Sequence, residues 1–278
     1  MIRDIVVQLN GGDADKTRLA QADGLAGLFE AHVTGAFLNV VPDYATLIDG
    51  GVAAPGIRRE SETIAHEFGD AAEARLKSEL SHLKAPAMLR RYDVPRRELA
   101  RVAAEAARAA DVFVLSRPYD SGDDSAADTA EAALFEGGRS VCVVPPGAST
   151  IGAIDTVLVG WSNTRECGRA VAEAMPILRQ AKTVVLASVA RHGERDAELK
   201  AAADDMVRHL GHHGVPVEFR FLERKDDVAD TLVREAQAIG AQLIVTGAYG
   251  HSRLREAVVG GVTRDLLRKC PLPLLMAH

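Results

Sequence analysis

The chain repeats itself: two series of short apolar segments alternate with helix-like stretches in the same order. The interval from Val112 to Leu243, where two equivalent apolar segments begin, equals the interval from Arg139 to Cys270. A constant interval of this kind indicates that one structural unit has been duplicated. The repeat therefore predicts a chain built from two copies of one unit, and it constrains the fold more than any single motif does.

The two copies differ in length near their beginnings. Ile5 and Val157 occupy equivalent positions but lie farther apart than the pairs later in the repeat, so the first copy carries an insertion. We place this insertion at residues 42–56, because their two prolines and three glycines are expected to interrupt regular structure. Residues 145–149, with the sequence Pro-Pro-Gly-Ala-Ser, have the composition of a linker between the copies.

Each copy alternates segments of strand length with segments of helix length. In the first copy we predict strands at residues 5–7, 32–41, 87–91, 112–115 and 140–144, and helices at 16–30, 61–83 and 96–109. In the second copy we predict strands at residues 156–159, 183–187, 217–222, 243–245 and 272–276, and helices at 165–178, 196–213, 228–238 and 262–267. Alternation of this kind favours parallel strands with helices on both faces of an open sheet. The predicted fold class is therefore α/β, with two doubly wound parallel-sheet domains in tandem, at residues 1–147 and 151–278.

Composition and charge restrict the function. Hydrophobic residues make up 47% of the chain and charged residues 26%, as in a globular protein with a core. The net charge of -6 provides no basic field for a phosphate backbone, so we expect no nucleic-acid partner. We see no membrane-spanning segment and no secretory signal, and we therefore expect a cytoplasmic protein without a membrane partner. Cys142, Cys167 and Cys270 lack paired spacing, which favours buried thiols.

Glycines follow the predicted strand at residues 243–245, where doubly wound sheets bind their ligands. Gly247 and Gly250 come first, and nine residues then separate Gly250 from Gly260. Glycines allow backbone N–H groups to approach an anion, and the N-terminus of the following helix adds further donors and a favourable dipole. The candidate anion-binding residues are Gly247, Ala248, Gly250, His251, Arg253, Gly260, Gly261, Val262 and Thr263.

This pattern, Gly-x2-Gly-x9-Gly followed by Val262-Thr263 and a closing strand, resembles the ATP-binding signature of the universal stress protein family. The repeat and the order of the elements also resemble tandem members of that family across nearly the whole chain. The resemblance implies one site for an adenine nucleotide, ATP with or without Mg²⁺, in the second copy. It further implies a stress-response or regulatory role, and closing strands that pair across the copies to form an internal pseudo-dimer.

Three residues outside the loop complete the predicted site. Ser162 stands near the end of the first strand of the second copy, where the resemblance implies contact with a ribose hydroxyl. Val189, after the second strand, would by the same resemblance offer backbone groups to adenine. Trp161 is the only tryptophan, and its ring is suited either to stacking on a base or to simple packing at a strand end.

The first copy lacks the features of this loop. At the repeat interval, the four glycines of the second copy's loop, at positions 247, 250, 260 and 261, correspond to Ser116, Tyr119, Thr129 and Ala130 in the first copy. Negative charge is added by Asp120, Asp123, Asp124 and Asp128, which would repel phosphates. We expect these aspartates to form a flexible acidic loop, because their spacing does not match an EF-hand. The first copy is therefore predicted to be degenerate, without nucleotide bound in this mode.

Other interpretations of the residues stay open. Gly261 stands where binding relatives place Ser or Thr, and Ser162 where they place Asp, so a protein-interaction scaffold for an unidentified client is one alternative. A very slow ATPase is another, although no acid, base and nucleophile converge in the sequence, and we expect no catalytic residues. His209, His212 and His213 have helical spacing but precede Gly214, which predicts a solvated helix end. Pairing of chains into a homodimer is left open.

Overall fold

The structure, a computed structural model, describes residues 1–43, 55–119, 124–189, 196–224, 227–248 and 261–278. Its strands are β1 (Asp4–Leu9), β2 (His32–Val41), β3 (Ala87–Pro95), β4 (Val112–Ser116), β5 (Ser140–Val144), β6 (Thr156–Gly160), β7 (Thr183–Val189), β8 (Val217–Leu222), β9 (Leu243–Gly247) and β10 (Leu274–Ala277). Its helices are α1 (Ala14–Phe29), α2 (Pro55–Ser81), α3 (Leu99–Arg108), α4 (Asp124–Glu136), α5 (Arg165–Leu178), α6 (Asp196–His212), α7 (Val228–Ala238) and α8 (Val262–Lys269).

All ten strands form one sheet in the order β3-β2-β1-β4-β5-β10-β9-β6-β7-β8. Pairing within each half is parallel, and the halves meet through the antiparallel pair of β5 and β10, with Leu275 opposite Cys142. The α/β class, the duplication and the pairing of the closing strands are thus confirmed. Each half is doubly wound, since the strand order reverses between β1 and β4 and again between β6 and β9.

The core consists of two layers of buried apolar side chains, one on each face of the sheet. Helices α1, α2, α5 and α6 cover one face, and α3, α4, α7 and α8 cover the other. Side chains alternate between the layers along each strand, so Val157 and Val159 belong to the first layer and Leu158 to the second. Both layers continue through both halves, and the two copies therefore share one core.

Two helices of the first half differ from the sequence-based expectation. Helix α2 begins at Pro55 and not at residue 61, so the inserted segment ends in helix; proline suits the first position of a helix, where its missing N–H has no intrahelical partner. The expectation of a flexible acidic loop is wrong for Asp124 and Asp128, which belong to α4. Alanine-rich sequence favours this helix, and acidic residues near its N-terminus interact well with the helix dipole. Asp120 and Asp123 lie outside the described residues.

Smaller boundary differences follow from pairing and capping. Strand β3 extends to Pro95, because it pairs with β2 along its whole length. Val189 is the last residue of β7 and not a residue after it. Helix α3 begins at Leu99, after a 3₁₀ turn at Arg96–Glu98. Within the described ranges, no helix is both long and apolar enough to cross a membrane.

Candidate functional site

The reversal of strand order between β6 and β9 marks where a ligand is expected in the second half. The strands end side by side, with Gly160 paired with Thr246. The predicted residues Trp161 and Ser162 follow β6, and Val189 ends β7. Gly247 ends β9 and Ala248 follows it, while Gly261 is the N-cap of α8, whose first residues are Val262 and Thr263. The structure thus distributes the predicted residues over the carboxyl edge of three neighbouring strands and one helix start. Gly250, His251, Arg253 and Gly260 lie outside the described residues.

Gly247 has a structural reason to be glycine. A Cβ atom at this position would lie 2.5 Å from the backbone nitrogen of Cys167 and 2.6 Å from the carbonyl carbon of Glu166. Both atoms belong to the first turn of α5, so the end of β9 packs directly against the beginning of that helix. Any larger residue would push β9 and α5 apart, so the glycine at position 247 allows these two elements to pack closely beside the reversal of strand order.

The first turn of α5 orders the residues after β6. The hydroxyl oxygen of Thr164, the N-cap residue, accepts a hydrogen bond from the amide of Cys167 at 3.3 Å. The Cys167 thiol lies 3.3 Å from the hydroxyl of Ser162, and its Sγ donates to the carbonyl oxygen of Gly160 at 3.7 Å. Ser162 is half-buried, and its hydroxyl can both donate and accept. It consequently keeps hydrogen-bonding capacity for a ligand hydroxyl beside the thiol.

Trp161 is anchored by its backbone and leaves its indole nitrogen unsatisfied. Its amide donates to the carbonyl of Ala187 at 2.8 Å, and its carbonyl accepts from the Ser188 hydroxyl at 3.0 Å. Only 8% of the residue is exposed, so little of the ring is available for stacking on a base. The indole Nε1 is buried, and no described residue supplies an acceptor for it. A buried donor without an acceptor costs about 1–3 kcal/mol.

Helix α8 begins without a side-chain cap. Gly261, its N-cap residue, has φ −75° and ψ 147°, and its carbonyl accepts from the amide of Asp265 at 3.2 Å. A Cβ atom on Gly261 would meet no described atom within 4 Å. The first amides of an α-helix have no intrahelical acceptor and carry the positive end of the dipole. The arrangement suits an anion, although Asp265 adds a negative charge in the first turn.

Ion pairs fix the other end of α8. The Lys269 ammonium lies 2.7 Å from a carboxylate oxygen of Asp227 and 2.7 Å from one of Asp230, at the start of α7. Its hydrogen bond to Asp227, with a second to Asp230, raises the pKa of Lys269 above its ordinary value. Both aspartates lie near the N-terminus of α7, which tolerates negative charge. Helix α8 is thus held in place independently of any ligand.

His278 also belongs to the site, although the sequence did not indicate it. Its Nδ1 lies 2.9 Å from the carbonyl oxygen of Ala248, whose amide donates to the carbonyl of Ala277 at 2.9 Å. Ala248 itself is fully buried. Both backbone groups of Ala248 are therefore held where the chain leaves β9. The parallel pairing of β9 with β10 creates this contact, and no local pattern in the sequence predicts it.

The equivalent turn of the first half is occupied by its own side chains. The Asp15 carboxylate accepts from the amides of Asn10 at 3.2 Å and Gly11 at 2.8 Å. Arg18, only 3% exposed, forms an ion pair with Asp15 and donates to the Asn10 side chain at 3.0 Å. Burial lowers the pKa of Arg18 from its ordinary value, against the opposing effect of Asp15. The alignment that pairs the first strands of the two copies places Asp15 opposite Cys167, so only the first half closes this turn with a carboxylate.

The histidines on α6 and the cysteines show no assembled metal site. His209 and His213 contact each other edge to face, with ring centroids 4.7 Å apart. Among the residues that the structure describes, no group of three or more His, Cys, Asp or Glu side chains is arranged to hold a metal ion. All three cysteines are free and buried, and burial raises the pKa of the Cys142 thiol to about 12.

Comparison with known proteins assigns the second half to a family. Residues 153–278 match the model of the universal stress protein family. A universal stress protein from Archaeoglobus fulgidus DSM 4304 has a similar structure, with a TM-score of 0.73, 14% identity and coverage of 99% of this chain and 95% of that chain. A Pseudomonas aeruginosa UCBPP-PA14 structure, provisionally assigned to the same family, gives a TM-score of 0.61, 17% identity and coverage of 99% and 93%. No curated protein matches the sequence significantly. Residues 153–278 therefore form a universal stress protein domain, and the whole chain has the fold of a tandem universal stress protein.

Proposed function

We propose that the chain binds one adenine nucleotide, ATP together with Mg²⁺, at the carboxyl ends of β6, β7 and β9. The observation that carries this proposal is the N-terminus of α8, which begins at Val262 after the N-cap residue Gly261 and has neither a side-chain cap nor a crowding atom among the described residues. A helix start at the strand-order reversal of a doubly wound sheet is a favourable place for phosphate groups. The family of residues 153–278 and the spacing of their glycines support the same ligand.

Each predicted residue receives a role in this proposal. The amides at the start of α8 and the glycines of the loop face the phosphates, and His251 and Arg253 add donors at the rim. Ser162 hydrogen-bonds the ribose, and Val189 supplies backbone groups at the adenine end. For Trp161 the burial of the ring supports packing at the strand end better than stacking on a base. The first copy acts as a structural partner, and the protein serves a cytoplasmic stress-response or regulatory role.

The proposal is tested by Gly261→Asp and Gly261→Asn. The backbone angles of Gly261 suit both residues, both are good N-caps, and no described atom lies within 4 Å of the position of a Cβ atom. We expect Asp to abolish ATP binding by placing a negative charge at the phosphates, while Asn retains measurable binding. Isothermal titration with MgATP should give about one site per chain for the wild type. Absence of binding, two sites per chain, or equal affinities of the Asp and Asn variants at matched melting temperatures would refute the proposal.

A protein-interaction scaffold is the second candidate function, and one observation favours it. Ile64 and Phe68 lie one turn apart on α2, and 60% and 57% of their surfaces are exposed. Exposed large apolar side chains that neighbour each other are typical of interaction surfaces. If MgATP does not bind but an Ile64→Ser, Phe68→Ser double variant loses a co-purifying protein, the scaffold function is supported in place of nucleotide binding.

A further inference from the structure

The imidazole ring of His278 contacts both Ala248, which precedes the glycine-containing loop, and a residue of the first half. Nδ1 of His278 lies 2.9 Å from the carbonyl oxygen of Ala248. Because a carbonyl oxygen only accepts hydrogen bonds, Nδ1 must carry the proton. The same ring packs edge to face on Phe135, with ring centroids 4.7 Å apart and an interplanar angle of 75°. Phe135 lies on α4, which belongs to the first half.

The residue of the first half that is equivalent to Ala248 contacts the second half through a different hydrogen bond. Arg117 corresponds to Ala248 in the repeat, and its amide donates to the carbonyl of Val144 at 2.9 Å, as the amide of Ala248 does to Ala277. The Arg117 guanidinium, however, donates to the carbonyl of Cys270 in the second half at 3.0 Å. Both strand ends thus contact the opposite half, but only Ala248 leads into the glycine-containing loop.

We propose that His278 is a positioning residue for the nucleotide site, and that Phe135 of the first half holds its ring in place. The inference rests on the proposed function. The carbonyl of Ala248 and the amide that follows it share one planar peptide group, so holding the carbonyl orients the backbone where the loop begins. A backbone oriented before binding loses less conformational freedom when it contacts the phosphates. The first half therefore contributes to nucleotide affinity without touching the ligand.

Substitutions at His278 in the full chain separate its hydrogen bond from its bulk. In His278→Asn, the amide nitrogen occupies about the position of the imidazole Nδ1 and can donate to Ala248, whereas His278→Leu keeps volume but has no donor. By isothermal titration with MgATP, we expect Leu to weaken binding about tenfold and Asn to stay within about twofold of the wild type. Phe135→Leu should weaken binding severalfold. Arg117→Ala, which removes a different contact between the halves, should leave the dissociation constant unchanged.

A measurement without ligand makes failure of this inference distinct from failure of the proposed function. Amide hydrogen exchange in peptides covering residues 246–262 should be faster in His278→Leu than in the wild type, and unaffected by Arg117→Ala. If the wild type binds no ATP yet this pattern appears, the proposed function fails and His278 still positions the backbone. If the Leu variant matches the wild type in exchange or in ATP affinity, the inference is overturned. Should the Leu variant not fold, His278→Gln, whose amide reaches the Nε2 position instead, replaces it.

Discussion

Replacing Gly261 with serine should strengthen ATP binding. Gly261 has φ −75°, a value open to any L-residue, and a Cβ atom there would meet no described atom within 4 Å. The backbone conformation therefore suits serine, and its hydroxyl would add one donor to a charged phosphate oxygen. Such a bond contributes about 1.5 kcal/mol, which corresponds to a gain in affinity of about tenfold.

The stability of the folded chain should not fall in this variant. Serine is at least as good an N-cap as glycine, and it restricts the unfolded chain more than glycine does. Gly261→Ala is the matched control, because alanine occupies the same space and restricts the backbone similarly but carries no hydroxyl. We expect its dissociation constant to equal that of the wild type.

The assay is titration calorimetry of the wild type, Gly261→Ser and Gly261→Ala with MgATP in one buffer, with melting temperatures measured in parallel. A serine variant that melts normally and binds no more tightly than the alanine variant would show that the α8 N-terminus does not contact phosphate.

Three further predictions concern stability and chemistry. Gly247→Ala should destabilise the fold by about 1–3 kcal/mol in urea titration, because its Cβ would clash with the backbone of α5. Gly168→Ala, whose Cβ would meet no described atom within 4 Å, should stabilise the fold by about 0.5–1 kcal/mol. Equal effects of the two substitutions would contradict this assignment. ATP hydrolysis should stay below about one turnover per second, since no acid, base and nucleophile converge among the described residues; a phosphate-release assay that finds faster turnover would refute this. Because burial raises the pKa of Cys142 from 9.0 to about 12, the folded state retains the thiol proton that the unfolded state loses. The contribution of Cys142 to the free energy of unfolding should therefore be fully present below pH 9 and decline as the pH rises above 9. The decline in the free energy of unfolding should be smaller in Cys142→Ala.

Local sequence signals predicted much of the fold. Helix α5 has the bounds expected for it, Arg165–Leu178, because Thr164 provides a clear N-cap signal and apolar residues recur on one face. The duplication and the alternation of strands and helices predicted two doubly wound parallel sheets, and the observed strand order confirms this fold class. Helix α4 was missed because its aspartates were given more weight than the alanines that follow them. Acidic residues at a helix start are in fact favourable, so their density did not exclude a helix.

The candidate site was only partly visible in the sequence, because several of its properties depend on contacts between distant residues. The glycine pattern located Gly247, but the close approach of α5 that requires a glycine there became apparent only in the fold. The burial of Trp161 and the unsatisfied state of its indole nitrogen depend on packing that no local pattern encodes. His278 was missed because its hydrogen-bond acceptor, Ala248, lies 30 residues earlier and meets it through the pairing of β9 with β10.

The turns after β1 and β6 differ in the acceptors that are available to their backbone amides. Backbone amides at a strand end need an acceptor, and a buried amide without one costs about 1–3 kcal/mol. In the first half Asp15 accepts from Asn10 and Gly11, and the Arg18 ion pair balances the charge of that carboxylate. In the second half the equivalent residue is Cys167, whose thiol is a much weaker acceptor than a carboxylate. A turn closed by its own carboxylate gains nothing from an anionic ligand. We therefore expect Cys167→Asp to reduce ATP affinity, because the second turn then has a carboxylate acceptor of its own. Ala170 stands where the first half has Arg18, so the variant should also lose stability unless it is combined with Ala170→Arg, which supplies the counter-charge.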